Sequence, residues 1–93
     1  MKLSYSKESI GDLLRLRNFI KHKNPDAAKR IAKSIRKGIG QLRSFPYLGV
    51  EVSNASNSED IRDLIIGNYI ARYLVISNHI IILRVWHHRE NRL

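Results

Sequence analysis

The C-terminal end of the chain concentrates side chains that could do chemistry. The segment RVWHHR brings together Arg84, Trp86, His87, His88 and Arg89. Cleavage of RNA needs an acid, a base and cations for the charged transition state, and a histidine beside arginines suits this set. The same residues could instead form an interface, because tryptophan and arginine dominate binding hot spots and an indole can stack on a base. His87 could also be a strand-end residue bonded to a carbonyl, and Trp86 could cap the core edge.

Other basic residues extend the candidate set. Arg62 could be catalytic or could form a structural ion pair with Asp60 or Asp63. The basic side chains of a predicted second helix could contact phosphate or an acidic partner, or they could simply face solvent. The candidate contact residues on this helix are Lys29, Lys33 and Arg36.

Composition limits the classes of function. The 93 residues predict one domain, 1–93, and 17 Lys plus Arg against 8 Asp plus Glu give a net charge of +9. Such a charge favours an anionic partner, although a basic face kept for solubility is the alternative. With no cysteine, no glycine-rich phosphate loop and no His/Asp/Glu cluster at metal-ligand spacing, we expect neither a metal nor another cofactor. No apolar run approaches a signal-peptide core or a membrane span, which predicts a cytoplasmic protein without a membrane partner.

Three apolar runs near the C-terminus predict an antiparallel meander that would carry the candidate residues. The runs are Ile61 to Ile66, Tyr69 to Ile76, and His79 to Trp86 or slightly beyond. Gly67-Asn68 and Ser77-Asn78 separate them, and such pairs tolerate the positive φ of tight hairpins. Strict alternation places His87 on the face of Leu83 and Val85, and Arg84, Trp86 and His88 on the opposite face.

The first half of the chain predicts a strand and two helices. Met1 to Tyr5 alternates like a half-buried strand, and Ser6 can cap a helix that ends near Lys23. Asn24-Pro25 breaks that helix and starts the next, in an antiparallel hairpin. An apolar stripe marks each helix: Ile10, Leu13, Leu14, Leu16, Phe19 and Ile20 in the first, and Ala28, Ile31, Ala32, Ile35, Ile39 and Leu42 in the second.

The link back to the meander is mostly a loop. Gly38 and Gly40 predict either frayed final turns or close packing of the second helix on a neighbour, and Pro46 must end it. The loop from Phe45 to Asp60 contains one short extended piece at Val50 to Val52. The fold class predicted is therefore α+β: an N-terminal strand, a two-helix hairpin and a three-stranded antiparallel meander, with the helices on one face of the sheet.

In this order and spacing the sequence resembles the RelE/ParE superfamily of small toxins from type II toxin–antitoxin systems. The resemblance covers nearly the whole chain and lies in Asn24-Pro25, Phe45-Pro46-Tyr47-Leu48-Gly49, Arg62-Asp63-Leu64 and Gly67-Asn68-Tyr69. The closing segment from Ile82 to Arg89 resembles the ParE branch, the plasmid stabilisation proteins. The family commonly has an arginine directly after the aromatic at Tyr69, where this chain has Ile70. Arg72 faces the same way as Ile70, about 6 to 7 Å further along the strand.

The resemblance implies a toxin that inhibits DNA gyrase by binding and is neutralised by a cognate antitoxin in a hetero-oligomer. Arg84, Trp86, His88 and Arg89, with the three basic residues of the second helix, would then contact the target or the antitoxin. The alternative it implies is a RelE-like enzyme that cuts messenger RNA on the ribosome, with Arg62, Arg72, Arg84 and His87 as catalytic residues. A basic binding module without toxicity is a third hypothesis.

Overall fold

The computed structural model describes residues 1–52 and 60–90. These residues form two helices, a short 3-10 turn and one five-stranded sheet. In chain order the elements are β1 (Lys2–Tyr5), α1 (Lys7–Lys23), α2 (Pro25–Gly40), the 3-10 turn (Gln41–Arg43), β2 (Val50–Glu51), β3 (Ile61–Ile66), β4 (Tyr69–Ile76) and β5 (His79–His87).

The predicted α+β fold is confirmed. The strands follow the order β1-β5-β4-β3-β2, so the predicted meander forms the centre of the sheet. β1 pairs with β5 in parallel, while all other neighbours are antiparallel. β2 confirms the short extended piece before the meander. The predicted loop centre, residues 53–59, lies outside the described residues.

Local side-chain chemistry sets the ends of the helices and the turns. The Ser6 hydroxyl accepts a hydrogen bond from the Ser9 N–H at 3.0 Å and so caps α1. Asn24 ends α1 and caps α2, since its N–H donates to the carbonyl of Ile20 and its side chain accepts from Ala27. Both hairpin turns contain a positive φ, of 59° at Gly67 and 52° at Ser77. The predicted boundaries are confirmed at each of these places.

The core lies between α2 and one face of the sheet. Ile35 and Ile39 of α2 pack there with Leu42 of the 3-10 turn. On the sheet side the fully buried residues Tyr73 and Ile82 are among their neighbours in the same cluster. The apolar stripe of α2 is thus the stripe that the sheet covers, as its helical spacing predicts.

The side of α1 that packs against the sheet is not the side that carries its apolar stripe. Its buried residues are Ser9, Asp12 and Leu16. Ile10 and Leu14 are each 49% exposed and Phe19, the most exposed of the stripe, 61%. A polar strip of α1 therefore meets β5, and much of the apolar stripe is turned toward α2 and solvent.

An irregularity in β5 overturns the prediction of strict alternation along this strand. Arg72 is paired with Arg84 but the next residue, Tyr73, is paired with Ile82, so Leu83 is an extra residue. Because one residue is inserted, the buried Ile82 lies on the same face as the buried Val85. Placing Leu83 in one alternating series with Val85 was therefore wrong. From Arg84 onward the alternation holds.

Two glycines permit close packing between layers. A Cβ atom at Gly38 would lie 2.9 Å from the side chain of Ile66, so α2 approaches β3 closely there. A Cβ atom at Gly49 would lie 2.8 Å from the Tyr73 ring and 2.9 Å from the carbonyl oxygen of Asp63. The Gly49 N–H donates to the buried Tyr73 hydroxyl at 2.8 Å, which fixes the segment before β2.

We expect Gly49→Ala to lower the free energy of unfolding by about 1–3 kcal/mol, since overpacking costs this much and a backbone oxygen cannot move aside. The control is Gly11→Ala in exposed α1, where nothing lies within 4 Å of the added Cβ. That change should raise the free energy of unfolding by about 0.5–1 kcal/mol. Urea unfolding of both variants measures the difference, and a Gly49→Ala protein as stable as the parent would contradict the packing described.

Candidate functional site

Arg84 is held by a carboxylate on α1. Its guanidinium forms two hydrogen bonds to Asp12, at 2.8 Å from Nε to Oδ2 and 2.9 Å from Nη2 to Oδ1. The same carboxylate accepts the Val85 N–H at 2.9 Å. The bonds to Asp12 raise the pKa of the Arg84 guanidinium. The Arg84 side chain is still 44% exposed, so part of it can meet solvent or a partner.

Arg72 and Trp86 lie together on the open face of the sheet, away from the helices. Arg72 forms two hydrogen bonds to Asp63 on β3, at 2.8 and 3.0 Å, and these raise its pKa. Its guanidinium also lies 5.2 Å from the centre of the Trp86 ring. Trp86 is 9% exposed and pairs with Ile70 on β4. Arg72 thus has both an anionic and an aromatic partner within the molecule.

His87 lies on the other face of the sheet. It pairs with Tyr69, whose ring meets the imidazole edge-on at 5.1 Å and packs against the core cluster. Burial raises the pKa of Tyr69, with a smaller contribution from Glu90. The His87 Nδ1 accepts the Arg89 N–H at 3.1 Å, so a neutral ring carries its proton on Nε2. His87 is therefore built into the turn that follows β5.

The residues after β5 form a folded end next to α1. Glu90 accepts the His87 N–H at 2.9 Å and pairs with Arg15 of α1 at 2.7 Å. His88 stacks on His87 with ring centres 4.7 Å apart. His88 and Arg89 are both exposed, and this end presents them to solvent.

Arg62 has a structural role, with partners other than those predicted. It donates to the carbonyl of Gly49 at 2.9 Å and to that of Tyr47 at 3.3 Å, and it pairs with Glu51 at 3.3 Å. The predicted pairing with Asp60 or Asp63 was wrong, because Arg62 points toward the segment before β2 and Asp63 already binds an arginine. Glu51 is engaged in this contact.

The proposed ribonuclease set is therefore divided within the fold. Arg72 and Arg84 are opposite each other on neighbouring strands, which their sequence positions did not show. His87, however, pairs with Tyr69 on the helix side, whereas Arg72 lies on the open side. The division follows from strand alternation.

Sequence analysis did not predict a groove that lies between α1 and α2. It encloses about 380 Å³ and is lined by apolar side chains with two arginines, Arg17 and Arg36. An adjoining pocket includes Lys21 and Lys29. The apolar lining consists of Tyr5, Ile10, Leu13, Leu14, Leu16, Ile20, Ala28, Ile31, Ala32 and Ile35. The exposed stripe of α1 could have revealed the groove, since it contains more apolar residues than one buried helix face needs.

The predicted basic residues of α2 differ in their relation to this groove. Arg36 lines it, Lys29 lines the adjoining pocket, and Lys33 is exposed and lines neither. Among the residues that the structure describes, no acidic residue lines either cavity. The combination of an apolar floor and basic rim could hold an amphipathic acidic segment.

Metal-binding side chains do not cluster within residues 1–52 and 60–90: no three of His, Cys, Asp or Glu come together. In the same residues, neither helix has the length and apolar character needed to cross a membrane.

Comparisons with known proteins agree on family and fold. The family model for the ParE toxin of type II toxin–antitoxin systems, parDE, matches residues 3–92. The chain is similar in structure to a chain of the chromosomal ParDE TA system from P. aeruginosa, with a TM-score of 0.78, 19% identity, and coverage of 94% of this chain and 95% of that one. It is also similar to a conserved hypothetical protein from Helicobacter pylori, with a TM-score of 0.60, 19% identity and 97% coverage of both chains. None of the curated proteins compared with it matches.

We expect Asp12→Ala to lower the free energy of unfolding by about 2–3 kcal/mol, because it removes charge-assisted hydrogen bonds and leaves the Val85 N–H without its acceptor. The control is Arg15→Ala, which removes the exposed pair with Glu90 and should cost about 1 kcal/mol or less. Urea unfolding of both variants tests this. Equal costs would mean that Asp12 does not join α1 to β5 as described.

Proposed function

We propose that this chain, which belongs to the ParE toxin family of type II toxin–antitoxin systems, inhibits DNA gyrase by binding and not by catalysis. The observation that carries the proposal is the division of the candidate catalytic residues between two faces of the sheet. A general acid and the cations of a phosphoryl site must converge on one phosphate. Here His87 pairs with Tyr69 on the helix side and Arg72 is bound to Asp63 on the open side.

The target surface that we propose is the exposed end of β5. His88 and Arg89 are exposed there, and part of the Arg84 side chain is accessible beside them. Trp86 is largely covered and would serve this surface by fixing Arg72. Exposed cations on an ordered strand end suit an anionic surface, and the net charge of +9 would speed association with such a target.

One observation favours the alternative, a ribosome-dependent endoribonuclease. Arg72 and Arg84 are register partners, so two guanidinium groups leave neighbouring positions of β4 and β5. Their carboxylate partners would have to release them before they could bind a phosphate. A histidine outside this pair would still be needed on the same face.

For neutralisation we propose that the cognate antitoxin places an amphipathic acidic segment in the groove between α1 and α2. The lining residues Ile10 and Leu14 are half exposed in the isolated chain, so a partner that covers them gains hydrophobic energy. Arg17 and Arg36 at the groove would favour carboxylates on that segment. The basic face of α2 is then part of the antitoxin site.

We expect expression in a bacterial host to alter DNA supercoiling before amino-acid incorporation falls, and His87→Ala to leave toxicity unchanged within about twofold, as for a residue outside the chemistry. His22→Ala, at the exposed end of α1, is the matched control. Supercoiling and radiolabelled incorporation are followed in the same culture. Translation that stops first, together with loss of toxicity in His87→Ala, would contradict the proposal in favour of the ribonuclease. No effect on growth would favour the non-toxic binding module.

We expect Leu14→Glu to keep toxicity and to weaken antitoxin binding by at least about tenfold, because a buried carboxylate is costly in an apolar groove. The control is Ile76→Glu, on a site of similar exposure, 52%, at the end of β4. Titration calorimetry with the antitoxin encoded beside the toxin gives the affinities, and growth rescue gives the cellular result. Equal affinities for both variants would rule out the groove as the antitoxin site.

A further inference from the structure

The outer edge of the sheet is only partly covered. β2 pairs with Arg62 and Asp63 of β3, and beyond it the Val52 N–H donates to the Ile61 carbonyl at 3.1 Å. Ile61 therefore directs its backbone groups toward β2, and alternation directs those of Ile65 to the same side. In residues 1–52 and 60–90 no strand lies beside Ile65 on that side, and no turn, loop or side-chain hydrogen bond reaches its backbone. With respect to the described part of the chain, the N–H and C=O of Ile65 are open to a further strand.

The side chains around this edge are apolar and exposed. Ile65 is 66% exposed, Val50 63% and Leu48 50%. All three line a cleft of about 460 Å³ between β3 and the C-terminal half of α2. Proteins usually protect an open edge with lysine, proline or a bulge, but Leu64–Ile66 contains none of these. An edge of this kind is suited to accept a strand.

The wall of the cleft on α2 indicates the charge of the occupant. It consists of Ser34, Lys37, Gly38 and Gln41 and includes no carboxylate. Lys37 is exposed and forms no ion pair with another described residue. The acidic residue nearest the edge, Asp63, is bound to Arg72. A strand that follows β3 would thus place one series of side chains near Lys37 and the other on Ile65 and Val50.

We propose that the edge of β3 at Leu64–Ile66 is a docking site for an extended segment of a partner protein in which acidic and apolar residues alternate. Main-chain hydrogen bonds to Ile65 would give affinity, and the two rows of side chains would give specificity. A second copy of this chain is a poorer occupant, because two copies of net charge +9 repel each other and the one carboxylate of a second β3, Asp63, is already bound to Arg72. The site lies on the far side of α2 from the groove, so it goes beyond the proposed function and does not depend on it.

The test uses the full, isotopically labelled chain and a short synthetic peptide that alternates valine and glutamate. We expect the peptide to bind and to slow hydrogen exchange of the Ile65 amide by about tenfold or more. A matched peptide with alternate amides N-methylated cannot complete the ladder and should lose at least about tenfold in affinity. Ile65→Lys should cause a similar loss, because an edge lysine opposes strand addition. Ile76→Lys is the control, and its affinity should be unchanged.

Several outcomes would overturn the proposal. These are no binding, equal binding of the N-methylated peptide, or equal binding to Ile65→Lys. Loss of binding in Leu14→Glu but not in Ile65→Lys would place the peptide in the groove between the helices. Sedimentation that shows a dimer of the chain alone, lost in Ile65→Lys, would make a second copy the occupant. Retained protection of the β3–β4 amides shows that Ile65→Lys is folded, so that its result can be interpreted.

Discussion

The packing of α1 on the sheet depends on one carboxylate. Parallel pairing between β1 and β5 ends at Tyr5 and Ile82, and within residues 1–52 and 60–90 no strand lies on that side of the next part of β5. Asp12, 4% exposed, occupies this place and accepts the N–H of Val85 and two N–H groups of Arg84. A hydrogen-bonded charge at the end of a strand pair replaces the missing ladder and satisfies groups that would otherwise be costly to bury. The polar strip of α1 that includes Ser9 follows from this contact.

The same constraint accounts for the position of the apolar groove. Because α1 turns its polar strip toward β5, its apolar stripe cannot also face the sheet. Ile10 and Leu14 are left at the surface, opposite the apolar side chains of α2. Ion pairs also join other elements of the fold. Arg62, Arg72 and Arg84 each bind a carboxylate on another element. Much of the charge that sequence analysis assigned to catalysis holds the elements of the fold together.

The sequence predicts well what depends on neighbouring residues. Hairpin turns at Gly67 and Ser77 and caps at Ser6 and Asn24 follow from the chemistry of a few adjacent side chains, and the structure has them where they were predicted. Contacts over a long separation could not be predicted in this way. The inserted Leu83 depends on the register with β4, and the partner of Arg84 lies 72 residues away. One domain over 1–93, and the roles of the candidate site residues in binding, stay predictions.

Asn24 ends one helix and caps the next, and this short connection affects the free energy of binding a ligand. Asn24 is the single residue between α1 and α2. Its backbone N–H is bonded to α1 and its side chain to α2, so the hairpin has little freedom to open or close. The surface that a ligand meets is already formed, so ordering costs on this side are small. A ligand that is disordered when free would bear nearly all of the entropic cost itself. The unbound ligand would then be open to proteases, while this chain would keep its shape. The lifetime of the complex would therefore depend on the supply of the ligand.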